Sequence, residues 1–249
     1  MSFQNKVVLI TGGSSGIGAA TAVEFAKERA TVAIVGRNVT KLNKVAERCQ
    51  EHGVTPLIIT ADISKDEEAE RIIKQTIAAY GKIDVLVNNA GIVVTGTLLD
   101  GEIMKTYDKV MNTNLRAVVH ITSLAVPHLI ETKGNIINVS STSGTLLCPW
   151  MTAYCTSKAG LEMFSRNAAL ELAPSGVRVN IVSPGAVYSD ILENAGLPDL
   201  FEKWAKDTAL KKVAQPEEVA DVILFLASDK VKSITGANYA IDNGEMLKQ

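Results

Sequence analysis

Two patterns of apolar residues alternate along the whole chain, and this alternation constrains the fold more than any other feature. Short β-branched runs, such as residues 7–10 and 31–35, are apolar at nearly every position, which is typical of strands buried on both faces. The longer stretches between such runs are amphipathic, and residues 38–52 place Leu42 and Val45 on one helical stripe. Strands and helices in regular succession predict a parallel sheet covered by helices on both faces.

This succession gives about seven predicted strands and the helices between them. The predicted strands are residues 7–10, 31–35, 57–59, 83–87, 135–139, 177–182 and 238–241. The predicted helices are residues 19–29, 38–52, 64–80, 102–130 and 152–173, then an irregular helical stretch at 189–212 and a last helix that Pro216 opens. Ser64 with Glu67 three residues later predicts a capping box, and Gly81 predicts the end of that helix.

Crossovers between parallel strands are nearly always right-handed, so a doubly wound α/β fold follows. No linker-like stretch interrupts the pattern, and we expect one domain over residues 1–249. In such a sheet the ligand crevice lies beyond the carboxyl ends of the strands.

Composition excludes several classes of protein. The chain has 249 residues and 47% hydrophobic residues, too many for a disordered chain. Lys+Arg 25 against Asp+Glu 27 leaves no basic excess, so we expect no nucleic-acid partner. No apolar run approaches the roughly 18 residues of a membrane span. The three cysteines form no CxxC pair and the three histidines have no metal-ligand spacing, so we expect no metal and a reducing, cytoplasmic location.

A glycine-rich loop joins the first predicted strand to the first predicted helix. It reads TGGSSGIG at residues 11–18, with the spacing G-x-x-x-G-x-G rather than the common G-x-G-x-x-G. Glycines let backbone N–H groups approach a pyrophosphate, and the helix N-terminus adds partial positive charge. The loop therefore predicts a bound dinucleotide. The residues that we assign to it are Gly12, Ser14, Ser15, Gly16, Ile17 and Gly18.

The end of the second predicted strand indicates which dinucleotide is bound. A carboxylate at this place would hold the ribose hydroxyls of NAD(H), but the sequence reads Val35-Gly36-Arg37. The guanidinium of Arg37 can meet a 2′-phosphate in forked geometry. The sequence therefore predicts NADP(H) in preference to NAD(H), and the alternative is that Arg37 is a solvated surface charge.

Tyr154 and Lys158 lie four residues apart, on one face of a predicted helix. A free tyrosine has a pKa near ~10, and a nearby ammonium lowers it by favouring the phenolate. Such a phenol can give a proton to a carbonyl oxygen while hydride arrives at the carbon. Ser141 stands thirteen positions before Tyr154, just past a predicted strand, where its hydroxyl could hold the reacting oxygen.

Together these motifs resemble the short-chain dehydrogenase/reductase family, in its single-domain branch, over nearly the whole chain. The resemblance rests on the loop at residues 11–18, Asn88-Asn89-Ala90-Gly91, Asn114, Ser141, Tyr154, Lys158 and the Pro184-Gly185 turn. It implies a Rossmann fold and an oxidoreductase that acts on CH–OH and C=O groups. It also implies a homodimer or homotetramer.

The resemblance assigns roles to the reacting residues. Tyr154 would be the catalytic acid/base, and Lys158 would bind the nicotinamide ribose and lower the pKa of the tyrosine. Ser141 would orient the substrate carbonyl. Asn114 would hold a water in a proton relay. Asn112 is the competing asparagine two residues earlier, and the aliphatic residue after Asn114 favours Asn114.

The resemblance also implies further cofactor contacts. Asp62 would bond the adenine amino group, unless it is an ordinary cap or turn aspartate. Ser189 stands where the family often has a threonine on the nicotinamide carboxamide. Asp242-Asn243-Gly244 replaces the frequent Asp-Gly-Gly, which puts the subunit packing in doubt. The cofactor residues implied beyond the glycine loop and Arg37 are Asp62, Ile63, Asn88, Ala90, Gly91, Tyr154, Lys158, Pro184, Gly185, Val187 and Ser189.

Three mainly apolar stretches are expected to form the substrate pocket, and residues 186–212 are expected to close over it as a lid. The candidate substrate residues are Val93, Val94, Leu147, Trp150, Tyr188 and Trp204. They predict an apolar ketone, aldehyde or secondary alcohol, such as a steroid, retinoid or isoprenoid.

Two alternatives remain open at this point. One is a 3-oxoacyl-[acyl-carrier-protein] reductase-like enzyme, whose carrier protein would need a basic patch. Lys203, Lys206, Lys211 and Lys212 could form one. The other is a sensor that binds NADP(H) without catalysis, which the complete set of Ser141, Tyr154 and Lys158 disfavours.

Overall fold

A seven-stranded parallel sheet forms the centre of the computed structural model, which describes residues 2–99, 101–197 and 200–248. The strands are β1 (Val7–Thr11), β2 (Thr31–Gly36), β3 (Leu57–Thr60), β4 (Val85–Asn88), β5 (Asn135–Val139), β6 (Arg178–Pro184) and β7 (Asn238–Ile241). Their order across the sheet is β3-β2-β1-β4-β5-β6-β7, and each neighbouring pair is parallel. The order reverses between β1 and β4, so the predicted doubly wound α/β fold is confirmed.

Helices cover both faces of this sheet. They are α1 (Gly16–Lys27), α2 (Val39–Gln50), α3 (Asp66–Tyr80), α4 (Ile103–Met111), α5 (Ala117–Thr132), α6 (Thr152–Leu172), α7 (Asp190–Asn194), α8 (Leu200–Asp207) and α9 (Pro216–Ala227). One buried cluster joins α1, α2 and α9 to the sheet, and a second joins α3, α5 and α6 to it.

The strand β1 shows why the predicted strands are apolar at every position. Val8 and Ile10 belong to the cluster on one face of the sheet, whereas Leu9 belongs to the cluster on the other. All three are completely buried. Successive side chains of a strand point to opposite faces, so a strand that has helices on both sides needs apolar residues throughout.

The predicted capping box before α3 is wrong. The helix begins at Asp66 with Lys65 as its N-cap residue, and no side chain caps it. Ser64 instead donates its hydroxyl to Asp62 Oδ1 over 2.7 Å, because Asp62 forms a local turn directly after β3. Gly81 ends the helix as predicted.

The long helix predicted at residues 102–130 is continuous but not regular. A π-helical turn, Asn112–Arg116, separates α4 from α5. A π turn inserts an extra residue into the helical repeat and rotates the side chains that follow. This turn carries Asn114 and directs its side chain inward. Asn114 is completely buried.

The stretch predicted as irregular, residues 189–212, holds the two short helices α7 and α8. The last helix begins at Pro216 as predicted. Within the described ranges, no helix combines the length and the apolar character that crossing a membrane requires.

Candidate active site

The carboxyl ends of β1, β4, β5 and β6 meet at one edge of the sheet, and a cavity of about 580 Å³ opens there. It receives most of the residues that the sequence singled out for cofactor binding. Those that line it are Gly12, Ser14, Ser15, Gly16, Ile17, Arg37, Asp62, Ile63, Ala90, Gly91, Tyr154, Lys158, Pro184, Gly185, Val187 and Ser189. Gly18 and Asn88 do not line it.

The glycine loop is shaped by close backbone contacts. Gly12 has φ +68°, and a Cβ there would lie 2.8 Å from the Cα of Ala90. A Cβ on Gly18 would lie 2.2 Å from the carbonyl oxygen of Gly12. Gly18 therefore allows α1 to pack against the loop and does not itself face the cavity. Ser15, the N-cap residue of α1, makes no side-chain cap, so the first N–H groups of the helix are not capped by it.

Asn89 belongs to the Asn88-Asn89-Ala90-Gly91 motif but was not among the residues assigned to the cofactor. Its side-chain amide donates to the carbonyl oxygens of Thr11 and Gly12 over 3.1 Å each, and it lines the cavity. Its neighbour Asn88 is 1% exposed and donates to Asn138 Oδ1 over 2.8 Å, behind the cavity. The motif thus splits into one residue that supports the sheet and one that ties the glycine loop to β4.

Tyr154 and Ser141 both line the cavity, and their side chains interact. Burial raises the pKa of Tyr154 to about 12, although the hydrogen bond from Ser141 acts in the opposite direction. The sequence argument expected the ammonium of Lys158 to lower this pKa. The pKa is instead raised, because burial dominates.

Lys158 lies under the tyrosine rather than against its hydroxyl. Its Nζ is 5.6 Å from the centre of the Tyr154 ring and donates to the carbonyl oxygen of Val139 over 2.8 Å. Burial lowers the pKa of Lys158 to about 8, while the charge of Glu162 acts to raise it. The lysine is thereby held at a pKa where small changes in its surroundings alter its charge near neutral pH.

The structure also separates the two competing asparagines. Asn114 clamps the segment after β4: its amide donates to Ile92 O over 2.9 Å, and its Oδ1 accepts from Ile92 N over 2.8 Å. A Cβ on Gly91 would lie 3.5 Å from Asn114 Oδ1 and 3.7 Å from Lys158 Nζ, so the amide adjoins the lysine. Asn112 instead donates to Ser64 O over 3.3 Å, away from the lysine.

The substrate end of the cavity contains half of the residues proposed for it. Val93, Val94 and Trp204 line the cavity, whereas Leu147, Trp150 and Tyr188 lie outside it. Leu147 is 89% exposed, and the Tyr188 ring packs against the ring of Phe201, with the centroids 5.3 Å apart. The path of each loop decides which of its side chains face inward, and an apolar loop sequence does not encode that path. The apolar lining residues that the sequence analysis did not name include Met151, Ile191 and Phe201.

Known proteins resemble this chain over almost its whole length. A family model described as enoyl-(acyl carrier protein) reductase matches residues 12–245. A 3-oxoacyl-[acyl-carrier-protein] reductase FabG of Thermotoga maritima is 39% identical, over 99% of this chain and 100% of its own. A meso-2,3-butanediol dehydrogenase of Serratia marcescens is 36% identical, over 98% of this chain and 96% of its own.

A solved structure shares the fold as well as the sequence. A short-chain dehydrogenase/reductase of Caenorhabditis elegans, solved with cofactor, superposes with a TM-score of 0.94 at 36% identity, over 99% of this chain and 97% of that chain. This chain belongs to the short-chain dehydrogenase/reductase family. It is accordingly an oxidoreductase, and its family uses a nicotinamide cofactor.

A nicotinamide dinucleotide fits the residues of this short-chain dehydrogenase/reductase. The glycine loop lines the cavity at the N-terminus of α1, where backbone N–H groups can bind a pyrophosphate. Arg37 and Asp62 line the same cavity. Burial tends to raise the pKa of Asp62, but the hydrogen bonds from Ser64 and the charge of Arg37 outweigh it and lower the pKa overall. The carboxylate is thus kept ionised as a hydrogen-bond acceptor.

A buried carboxylate on α6, one helical turn after Lys158, was not singled out from the sequence. Glu162 is 5% exposed, and its Oε1 accepts from the hydroxyls of Ser140 over 3.2 Å and Ser183 over 3.3 Å. Its Oε2 lies 3.4 Å from Arg166. Glu162 follows Lys158 by one helical turn on α6, and this spacing was the available signal.

In the part of the chain that the structure describes, no group of three or more His, Cys, Asp and Glu residues could hold a metal ion.

Proposed function

We propose that this protein is an NADP(H)-dependent reductase of an apolar ketone or aldehyde, or in the reverse direction a dehydrogenase of the corresponding secondary alcohol. The observation that supports this most is that Tyr154, Ser141 and Lys158 line one cavity, with the Lys158 ammonium 5.6 Å from the centre of the Tyr154 ring. The glycine loop and the apolar residues line the same cavity.

When NADPH is bound, the nicotinamide supplies hydride to the carbonyl carbon. Ser141 would hold the carbonyl oxygen, and Tyr154 would give that oxygen its proton. A pKa of about 12 keeps Tyr154 protonated before reaction, as a general acid requires. Lys158 would bind the ribose, and Asn114 would hold a water that returns the proton through the lysine.

The cofactor preference rests on the end of β2. Arg37 is exposed there and lines the cavity, and the residues Val35 and Gly36 that precede it carry no carboxylate. A guanidinium at this point would attract the 2′-phosphate of NADPH and leave NADH without its usual ribose contact. Asp62 would accept from the adenine amino group.

The nature of the substrate rests on the apolar end of the cavity, with Val93, Val94 and Trp204 as proposed contacts. The second candidate, a 3-oxoacyl-[acyl-carrier-protein] reductase, is favoured by the relative that is 39% identical. Its carrier protein would have to meet the lysines around α8, and two of these already have partners. Lys212 pairs with Glu218 over 2.7 Å, and Lys211 donates to Lys206 O.

Three further features belong to the proposal. Residues 186–212, which hold α7 and α8, would act as a lid. The protein would be a homodimer or homotetramer, as the family resemblance implies. A cytoplasmic location agrees with three cysteines that are free thiols.

The test is NADPH oxidation against apolar ketones, aldehydes and 3-oxoacyl thioesters, with NADH in parallel. We expect turnover of at least one apolar carbonyl and a preference for NADPH. Arg37→Ala should weaken NADPH binding about tenfold or more and leave NADH binding nearly unchanged, because the substitution removes one charge-assisted contact. Equal use of both cofactors by the wild type would refute the cofactor proposal. Tight NADPH binding without turnover of any carbonyl would favour the sensor.

A further inference from the structure

A charged side chain from the C-terminal segment, that of Glu245, lines the cavity. Glu245 begins the 3-10 turn Glu245–Lys248 after β7 and lines the same cavity as Tyr154 and Ser141. The aligned motifs of the chain assign it no role, since it lies beyond the Asp242-Asn243-Gly244 turn.

The turn before Glu245 is built to hold it in place. The Asp242 carboxylate accepts from the backbone N–H of Gly244 over 2.9 Å and of Met246 over 2.8 Å. Asn243 adopts φ 53°, which an asparagine tolerates, and its amide donates to Lys212 O over 3.2 Å. The turn therefore stays tight although Asn243 replaces a glycine. Its hydrogen bonds hold the backbone from which the Glu245 side chain extends.

The carboxylate of Glu245 touches two segments that line the cavity, the one that carries Ser141 and the turn at Pro184-Gly185. Its Oε2 accepts from the hydroxyl of Thr142 over 3.1 Å, and Thr142 follows Ser141 in the chain. A Cβ placed on Gly185 would lie 2.8 Å from the same oxygen, and Gly185 follows Pro184 on the proposed nicotinamide side. A substrate group that bonds to Glu245 would therefore lie beside the segments that carry Ser141 and the Pro184-Gly185 turn.

The carboxylate of Glu245 is partly buried and has few hydrogen-bonding or charged partners among the described residues. The Thr142 hydroxyl bonds one oxygen, and among the described residues no Lys or Arg nitrogen lies within 4.0 Å of either oxygen. Burial raises the pKa of Glu245, and the neighbouring charges of Asp242 and Asp207 raise it further. A partly buried carboxylate without a cation has free capacity to accept a hydrogen bond from a ligand.

We propose that Glu245 is a specificity residue that accepts a hydrogen bond from a hydroxyl or ammonium group of the substrate, one or two carbons from the reacting carbon. This rests on the proposed function and narrows it to hydroxy or amino ketones and the matching diols or amino alcohols. A 3-oxoacyl thioester offers only carbonyl oxygens near the reacting carbon, and these repel a carboxylate.

The experiment compares three alcohols of equal chain length in the oxidation direction with NADP⁺. They are octane-1,2-diol, 1-amino-octan-2-ol and octan-2-ol, and they differ only in the group beside the reacting carbon. We expect kcat/KM to be about tenfold or more higher for the diol or the amino alcohol than for octan-2-ol. Whichever of the two is preferred identifies the donor as a hydroxyl or an ammonium group.

Substitutions then connect this preference to Glu245. Glu245→Leu should bring the preferred alcohol to within about threefold of octan-2-ol. Thr142→Val removes the internal bond but keeps the carboxylate, so it should retain the preference. Glu131→Gln, an exposed glutamate on α5, is the control. The proposal is overturned if Glu245→Leu keeps the preference, or if it slows all three alcohols equally, as a purely structural tie would.

A binding measurement separates this proposal from the proposed function. The fluorescence of Trp204, which lines the cavity, reports binding of each alcohol to the NADP⁺ complex without turnover. A binding preference that Glu245→Leu abolishes, in a protein that oxidises none of the alcohols, would support the Glu245 site and contradict the proposed reaction. Turnover without any preference among the alcohols would support the proposed reaction and contradict the Glu245 site.

Discussion

The floor of the cavity and its rim are built in different ways. The floor consists of Asn114, Ser141, Tyr154 and Lys158, none of which is more than 9% exposed. The rim, residues 146–150 with the described parts of 186–212, leaves large apolar side chains in solvent. These side chains are Leu147 at 89%, Tyr188 at 46% and Leu210 at 66% exposure.

The difference follows from what holds the floor residues and the rim residues in place. Floor residues bond to partners far along the chain, such as Lys158 to Val139 O and Asn114 to Ile92, on segments that the sheet register aligns. The rim depends on α7 and α8, helices of 5 and 8 residues. Short helices have little intrinsic stability. We infer that the floor carries the chemistry, while the rim and the C-terminal segment select the substrate.

The largest effect is expected from a substitution in the floor of the cavity. Tyr154→Phe removes the proton donor and leaves the ring in place, so kcat should fall about 10³-fold or more. NADPH affinity, measured by fluorescence titration, should change little because the ring is retained. A variant with kcat within tenfold of the wild type would show that another group, or water, protonates the substrate oxygen.

A smaller effect is expected behind the floor. Glu162→Gln removes a charge that raises the pKa of Lys158, so this pKa should fall further below about 8. Lys158 then loses its proton at lower pH, and the alkaline limb of the kcat/KM profile should move to lower pH.

The pH profile of Glu162→Gln distinguishes an electrostatic effect of Glu162 on Lys158 from a purely structural role of Glu162. The ratio of kcat/KM at pH 9 to that at pH 7 should drop about threefold below the wild-type ratio. Glu171→Gln, an exposed glutamate on the same helix, is the matched control. A uniform loss of activity at every pH would mean that Glu162 acts only by holding Ser140 and Ser183 in place.

The smallest effect is expected at the rim. Lys41 on α2 pairs with Asp190 at the start of α7 over 2.5 Å, and both side chains are partly exposed. Exposed pairs contribute about 0.2–1 kcal/mol, so Lys41→Ala should raise the substrate KM by no more than about fivefold and leave kcat unchanged. High salt should reduce the difference from the wild type. A large fall in kcat would contradict the view that the rim serves binding alone.

Several elements were predictable because their signals are local. The bounds of β5 and β7 match residues 135–139 and 238–241, and α9 begins at Pro216. The capping box at Ser64 failed because Asp62 competes for the serine hydroxyl. The pKa of Tyr154 was expected to fall and instead rises, since a motif does not reveal burial.

Glu162 and Glu245 mark the limit of a motif-based analysis. Each is a single glutamate in an ordinary helical or C-terminal sequence, and its surroundings come from distant parts of the chain. Ser140 and Ser183 meet Glu162, and Thr142 meets Glu245 across 103 positions of sequence. Such contacts depend on how the sheet and the loops pack together.

Local pattern alone was enough for the α/β class, the parallel sheet and the place of the glycine loop, because strand and helix periods and glycine spacing are properties of neighbouring residues. Packing decided the rest: the π turn that directs Asn114 inward, the partners of Lys158, and the rim side chains that turn into the cavity. These features depend on burial and on contacts between segments far apart in the chain, and both exist only once the sheet has brought its carboxyl ends together.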